Sequence, residues 1–471
     1  MLIYCENFES PTQTGSPRGL LTRYGGDGIS QAYDWTFGDV IVHDKNVPRC
    51  ETFGSFSSGS LSCVVGHSSL DSRYALSVQS SDYNPSWDSS PRYGHVITYL
   101  PPSKKITWGG LFHLFPHNTG LSSYPLYSQM VFRFLTSGGV LPSGPNHQIR
   151  LSTLPENFRV SFNFIDPSVG GISNAYSLQA ARVSFSTGGS GFPAIPPKNV
   201  YFNFLDPFWL WIECDMTDAA TQRGYCKVFL NDTEVATVAD VYTGNIDDWH
   251  AHPSRQFNNV VRADICFGCN RHWREFRIHS IIALNEGLGW MHEPLGNVRV
   301  ASLPVANLDN GIQWSSSSPE SLTVPEVFHG NKGKSFSQLG SQPYAFASDH
   351  LSRDLHSVAH TFLDETEIVA VSVNLTARRF LLPGESAHVR IEPTYLFSGR
   401  DVEMRRTSGV ALASHIANYK FALSVPFAGD FWRLDLLQYA MLGYSLYDVA
   451  SAGRVQVSSD IGVSETATGE E

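Results

Sequence analysis

Residues 201–238, YFNFLDPFWLWIECDMTDAATQRGYCKVFLNDTEVATV, constrain the fold more tightly than any other stretch of the chain. Side chains on a strand alternate between its two faces. Over Phe208–Asp215 that rule puts Leu210, Ile212 and Cys214 on one face. Trp209, Trp211, Glu213 and Asp215 share the other. The apolar trio has to cover a core, and the Trp/acid set faces outward or into a cleft. A polar link, Met216–Gly224, returns the chain into a second strand, Tyr225–Leu230. Asn231-Asp232 then reads as a tight turn before a short strand at Glu234–Val238. A central antiparallel hairpin of this kind needs further strands beside and beneath it.

The rest of the chain supplies them. Ser62–Val65, Tyr74–Val78, His95–Tyr99, Lys105–Phe115, Gln129–Leu135 and Gln148–Leu151 read as strands separated by turn residues. In Phe158–Ile165 the residues Phe158, Val160, Phe162 and Phe164 alternate with Arg159, Ser161 and Asn163. Ala181–Phe185, Val200–Phe204, Asp264–Phe267 and Phe276–Leu284 complete the first series. The stretch 80–94, SSDYNPSWDSSPRYG, reads as a long aromatic loop of the kind that carries contacts. With 29 Phe, 19 Tyr, 10 Trp, 39 Gly and 26 Pro but only 16% charged residues, the composition matches short strands with many turns. The expected fold class is all-β, with about a dozen strands stacked as two antiparallel sheets before residue 290.

The pattern W-x-W-I-E-C-D, a polar loop, then G-Y-C-K-V-F-L-N-D-T-E-V resembles the laminin-G-like, concanavalin A-like jelly roll. In that family a Trp-led strand runs into a hairpin closed by a D-G-like turn, and Asn231-Asp232 stands at that place. The opening Ile3–Glu9, IYCENFE, is similar to the x-D-N-F-E start of jelly-roll modules in bacteriophage structural proteins. A second resemblance lies at 426–447, PFAGDFWRLDLLQYAMLGYSLY. Pro426, Phe427, Gly429, Trp432, Asp435 and Gly443 match the close of a small β-sandwich found in bacteriophage tail and appendage proteins, with Tyr444 in place of its small apolar residue. These resemblances imply a concanavalin A-like antiparallel jelly-roll sandwich over 1–290, a linker at 291–310 and a second, smaller β-sandwich over 311–450. The core strands of the second unit are expected at Ile368–Leu375, His388–Glu392, Val410–Leu412 and Lys420–Val425. Leu434, Leu437, Gln438 and Met441 have helical spacing, with Gly443 as a stop. The polar tail 451–471 has no core-forming pattern and is expected to order only against a partner.

Three sets of residues suggest chemistry. Glu213-x-Asp215-x-x-Asp218 resembles the E-x-D-x-x-E of laminarinase-type hydrolases on the concanavalin A-like fold, where one strand face presents a nucleophile and an acid/base. Here the last acid is shorter and falls in the expected hairpin link, so solvated acids on a strand are the bland reading. Cys266, Cys269 and His272 have the spacing of three zinc ligands, but no second C-x-x-C supplies the other half of a structural site. Turn cysteines are the plainer account. Trp87, Tyr83, Tyr93, Trp209, Trp211 and Trp249 are candidate sugar-stacking platforms, and equally candidates for core or interface aromatics. Cys214 and Cys226 fall on paired strands; free buried thiols and a bond between them both remain open. No cofactor motif is present: there is no P-loop, dinucleotide fingerprint, H-E-x-x-H or G-x-S-x-G.

A formal charge of −11 excludes a basic nucleic-acid grip. No apolar run approaches the roughly 20 residues of a membrane-spanning helix. MLIYCENFESP lacks the basic and apolar regions of a secretion signal, so synthesis in a host cytoplasm is expected. The resemblances together imply a non-enzymatic structural protein of a tailed-bacteriophage virion, in tail, neck, fibre or capsid appendage. Its partners would be other virion proteins, copies of itself and host-surface glycans. The alternatives are a glycan hydrolase or lyase using Glu213 and Asp215, and a free carbohydrate-binding module.

Overall fold

The structure is a computed structural model. It describes residues 2–7, 32–34, 49–55, 61–67, 74–80, 92–116, 129–136, 148–150, 156–164, 180–187, 195–218, 223–242, 260–269, 273–285, 294–303, 305–306, 314–331, 339–347, 353–358, 367–380, 390–397, 402–405, 410–412, 417–423, 432, 436–437, 440–447 and 454–468. The first unit opens with β1 (Leu2–Glu6), β2 (Ala32–Asp34), β3 (Arg49–Ser55), β4 (Leu61–His67), β5 (Tyr74–Ser80), β6 (Arg92–Ser103), β7 (Lys105–Pro116), β8 (Gln129–Thr136) and β9 (Gln148–Arg150). It continues with β10 (Glu156–Phe164), β11 (Ala180–Thr187), β12 (Lys198–Tyr201), β13 (Phe208–Asp218), β14 (Arg223–Leu230), β15 (Thr233–Tyr242), β16 (Val260–Cys269) and β17 (Trp273–Asn285). An 8-stranded antiparallel sheet runs β15-β14-β13-β7-β17-β5-β4, with β1 beside β17; a 7-stranded sheet runs β12-β11-β10-β8-β16-β6-β3. The chain passes from one sheet to the other at β3 to β4, at β5 to β6 to β7 to β8, at β12 to β13 and at β15 to β16 to β17. That crossing between two antiparallel sheets is the expected jelly-roll sandwich.

Period-two alternation builds the core. Trp108 and Phe112 of β7, Phe132 and Phe134 of β8, Val160 and Phe162 of β10, and Leu210, Ile212 and Cys214 of β13 fall in one buried cluster. Trp108 lies 5.0 Å from Phe132, and its Nε1 donates to Thr98 at 3.3 Å. The long strand β17 has β7 along one side. Its other side is shared end to end by β5, opposite Glu275–Ile278, and β1, opposite Ile281–Leu284. All five residues of β1 are buried. Ile3 and Tyr4 reach the main core, while Leu2 and Cys5 belong to a second cluster on the sheet's outer face.

The second unit comprises β18 (Val298–Leu303), β19 (Val305–Ala306), β20 (Ser315–Ser316), α1 (Val324–Asn331), β21 (Ala345–Ala347), β22 (Arg353–Val358), β23 (Glu367–Phe380) and β24 (Arg390–Phe397). β25 (Val402–Arg405), β26 (Val410–Ala411), β27 (Ala417–Leu423), β28 (Ala440–Tyr447) and β29 (Arg454–Thr468) complete it. One 6-stranded sheet runs β20-β21-β29-β23-β27 with β18 beside β29, and another runs β19-β22-β28-β24-β25 with β26 beside β24. Trp314, just before β20, packs edge-on against Tyr444 of β28 at 5.0 Å and so bridges the two sheets.

Three expectations are corrected here. Residues 291–310 are not a plain linker: β18 and β19 lie within them and pair with β29 and β22. Residues 454–468 of the polar tail need no outside partner for order. They form β29, which lies between β18 and β21 on one side and β23 on the other. The ladder satisfies the backbone of a strand whatever its side chains, so a polar strand is stable in mid-sheet. The helix expected before Gly443 is limited, among described residues, to Leu436 and Leu437. Met441 and Gly443 lie in β28, where buried Ala440, Leu442, Tyr444 and Leu446 alternate with period two. A helix does form at α1, and T-V-P-E at Thr323–Glu326 is its capping box. The Glu326 carboxylate accepts the Thr323 N–H at 2.7 Å and the Thr323 hydroxyl at 2.8 Å. Those bonds hold the Glu326 carboxyl below its usual range.

Because β29 lies inside a sheet, a chain ending at Ala450 should lose the second unit. The expected outcome is a lower-temperature, less cooperative melt by circular dichroism, with rapid proteolysis confined to residues beyond 300. Native-like melting of the shortened chain would contradict the strand order.

Candidate functional site

The outer face of the eight-stranded sheet carries the residues singled out from sequence, and register sets their neighbours. On β13, Glu213 stands opposite Thr107 of β7 and Lys227 of β14, while Asp215 stands opposite Lys105 and Tyr225. Lys105 Nζ lies 3.5 Å from Glu213 Oε1 and 3.7 Å from Asp215 Oδ2, so one ammonium bridges both carboxylates. The Tyr225 hydroxyl donates to Glu213 Oε1. The ammoniums of Lys105 and Lys227 lie 5.5 Å and 5.1 Å from the Tyr225 ring centre. Burial first, and the bond to Glu213 second, push the Tyr225 phenol well above its ordinary range, which keeps it a donor. Glu213 and Asp215 are 3% and 8% exposed. They are therefore desolvated acids with built-in counter-charge, not the solvated strand edge of the bland reading.

Asp218 is in β13 rather than in the hairpin link. It lies past a bulge, opposite Arg223, and its side chain falls outside the described residues. The link is accordingly shorter than expected.

Trp209 and Trp211 are 2% and 0% exposed, which removes them as sugar platforms. Their rings stack at 5.0 Å and 15°. Trp211 lies flat on Gly109 of β7, where a Cβ would meet its ring carbons at 2.3 Å. Across the sheet, a Cβ at Gly110 would meet Trp108 and Phe112. The Gly109-Gly110 pair therefore lets aromatics cover both faces of β7. Both indoles point their N–H groups at the segment leading into β18: Trp211 Nε1 donates to the Gly296 carbonyl at 2.9 Å and Trp209 Nε1 to that of Val298 at 3.0 Å. Between them the Asn297 N–H donates to Asp232 Oδ1 at 3.0 Å.

Two local features aim this clasp. Asn231 takes φ +53° in the two-residue turn and exchanges two hydrogen bonds with the Trp209 backbone, at 2.8 and 2.9 Å. Asp232 is thereby presented to the strap. Gly296 takes φ +69°, a conformation that favours glycine, and a Cβ there would stand 2.4 Å from Asp232 Oδ1. Val298 and Val300 then join Leu2, Cys5, Trp209, Trp211, Ile282 and Leu284 in the outer-face cluster.

The remaining candidates are not assembled with these. Tyr93 lies in β6 rather than in a loop, its backbone opposite Gly268 and Ser55. Cys266 and Cys269 are strand residues of β16, opposite His95 and Arg92, rather than turn cysteines. Tyr83, Trp87, Trp249 and His272 lie outside the described residues. Among the described residues no three His, Cys, Asp or Glu side chains are grouped to hold a metal ion. Sequence reasoning missed Lys105, Tyr225, Asp232 and Gly296. The signal for the first two was the register of β7 and β14 against β13.

No family model and no curated protein matches the chain. Solved structures similar to it include the VIP36 exoplasmic/lumenal domain in a Ca2+/Man2-bound form, with 10% identity over 50% of this chain and 83% of that one, TM-score 0.29. Peanut lectin with a bound 9mer peptide has 12% identity over 50% and 96%, TM-score 0.26. The endo-beta-1,4-glucuronan lyase of the fungus Trichoderma reesei has 12% identity over 56% and 96%, TM-score 0.27.

Two substitutions test the clasp and one the ion network. Trp209→Ala should cost about 3–5 kcal/mol by truncating a buried aromatic. Gly296→Ala should cost about 1–3 kcal/mol through its positive φ and the approach of Asp232. Both losses are read from urea midpoints, with exposed Glu234→Gln as the unchanged control. Lys105→Met removes the ammonium that bridges two buried carboxylates and should cost about 3 kcal/mol; adding Glu213→Gln should recover part of it.

Proposed function

We propose that this protein is a non-enzymatic structural component of a large protein assembly. Its setting is the tailed-bacteriophage virion that the resemblances of Ile3–Glu9 and Pro426–Gly443 imply. The observation that carries the reading is the state of the β13 outer face. Trp209 and Trp211 hold the strap, and Lys105 bridges Glu213 and Asp215. A glycan-processing face would present those groups to substrate; here they bond within the chain. The result is a firmly joined pair of sandwiches, suited to carrying load between copies of itself and other virion proteins. Synthesis in a host cytoplasm and contact with host-surface glycans through other surfaces complete the proposal.

The second reading is a glycan hydrolase or lyase. It is favoured by one observation, that Glu213 and Asp215 share a face of one strand. Lys105 lies against both carboxylates and would have to withdraw before a sugar could enter between them.

The decisive experiment has two arms. Light scattering of the full chain at micromolar concentration should give a defined oligomer, and a broad polysaccharide panel should release no oligosaccharide. Turnover that disappears in Glu213→Gln with unchanged melting would establish the hydrolase reading instead. A monodisperse monomer binding one glycan without turnover would establish a carbohydrate-binding module.

A further inference from the structure

The central hairpin holds two thiols that its site chemistry does not use. Cys214 of β13 and Cys226 of β14 are directly opposite in the ladder. Both are 0% exposed, both are free, and both lie in the main core cluster. Opposed residues of an antiparallel pair have Cα atoms about 4.5–5.5 Å apart. A disulfide accepts roughly 4.4–6.8 Å. The pair therefore meets the backbone requirement without strand movement, and its side chains share one face.

We propose that Cys214 and Cys226 form a modification site, at which a small oxidant of the hydroperoxide class closes a cross-strand disulfide that locks the β13–β14 hairpin.

Burial, the largest cause for both thiols, pushes them above their ordinary range. For Cys214 the nearby Asp215 and Glu213 add to it; for Cys226, Cys214 itself does. In the closed hairpin the pair is therefore slow to react. Access comes from the sheet edge, because β15 is the outermost strand and β14 the next. Opening there lets one sulfur ionise and attack a peroxide oxygen. The O–O bond breaks, water (from hydrogen peroxide) or an alcohol (from an organic hydroperoxide) leaves, and a sulfenic acid remains. The facing sulfur then attacks that sulfur, the S–O bond breaks, a water leaves and the S–S bond forms. Two thiols lose two electrons in total, and the peroxide gains them.

The test treats the folded full chain with hydrogen peroxide, removes the oxidant, unfolds without reductant in the presence of an alkylating agent, and digests with trypsin. Cleavage after Lys198, Arg223 and Lys227 puts the two cysteines on separate peptides. The expected result is a cross-linked peptide pair, Asn199–Arg223 with Gly224–Lys227, that a reductant separates. The oxidised chain should melt a few degrees higher, on the order of the shift expected for closing a short loop. Cys226→Ala should abolish both effects. Recovery of both cysteines alkylated, singly over-oxidised, or linked to other cysteines would overturn the proposal. Wild-type peptide mapping decides the matter even if Cys226→Ala does not fold.

Discussion

The stacked indoles of Trp209 and Trp211, bonded to the backbone of Gly296 and Val298, are the contact on which the arrangement of the two units depends. Each large indole removes about 150–250 Å² from water. At about 25 cal/mol/Å² that amounts to roughly 5 kcal/mol apiece before ordering costs. Their N–H groups need partners in so dry a site. The acceptors they find belong to the strap, so apolar burial and polar satisfaction favour the same path of the chain. Gly109 makes this possible from below by letting Trp211 lie flat on the sheet. Asp232 and Gly296 fix it from above.

Much of the fold was legible because period-two alternation is a local property. The β13 pattern assigned Leu210, Ile212 and Cys214 to the core and Trp209 and Trp211 to the other face, and both assignments hold. Alternation says which face a residue takes, but not what covers that face. The partners of the two Trp residues lie 85 and 89 residues away, in a Gly-, Pro- and Asn-rich stretch that reads as a linker. The strand at 454–468 was hidden for a related reason. Its stability comes from ladders on both sides, so its own side chains need not be apolar. At 434–443 two periods competed, and the one matching the buried row Ala440, Leu442, Tyr444 and Leu446 prevailed.

The acidic pair shows the limit of motif spacing. Glu213-x-Asp215 indicates two carboxylates on one face, and they are there. What the spacing omits is the register, which sets Lys105 and Tyr225 against them from two different strands. A bridging ammonium and a phenol donor hold the acids in place. The acids and the clasp thus occupy the same face of one strand and bond within the chain.

The second unit contains an unusual strand. β23 is buried on both sides: Val371, Val373 and Leu375 on one, Ser372 and Asn374 on the other. Ser372 is level with Ser464 of β29, which is level with Ser302 of β18. Val298 and Val300 of the same β18 pack on the Trp stack. β1 of the first sandwich lies beside β27, the neighbour of β23. Polar groups in such a place add little attraction, but they penalise misplacement, because each must find a partner wherever the sheets come to rest. Ser372 does so locally, with its hydroxyl 3.4 Å from Asn374 Oδ1. The apolar clasp supplies the adhesion between the units, and the buried polar row restricts how the sheet of β23 can pack.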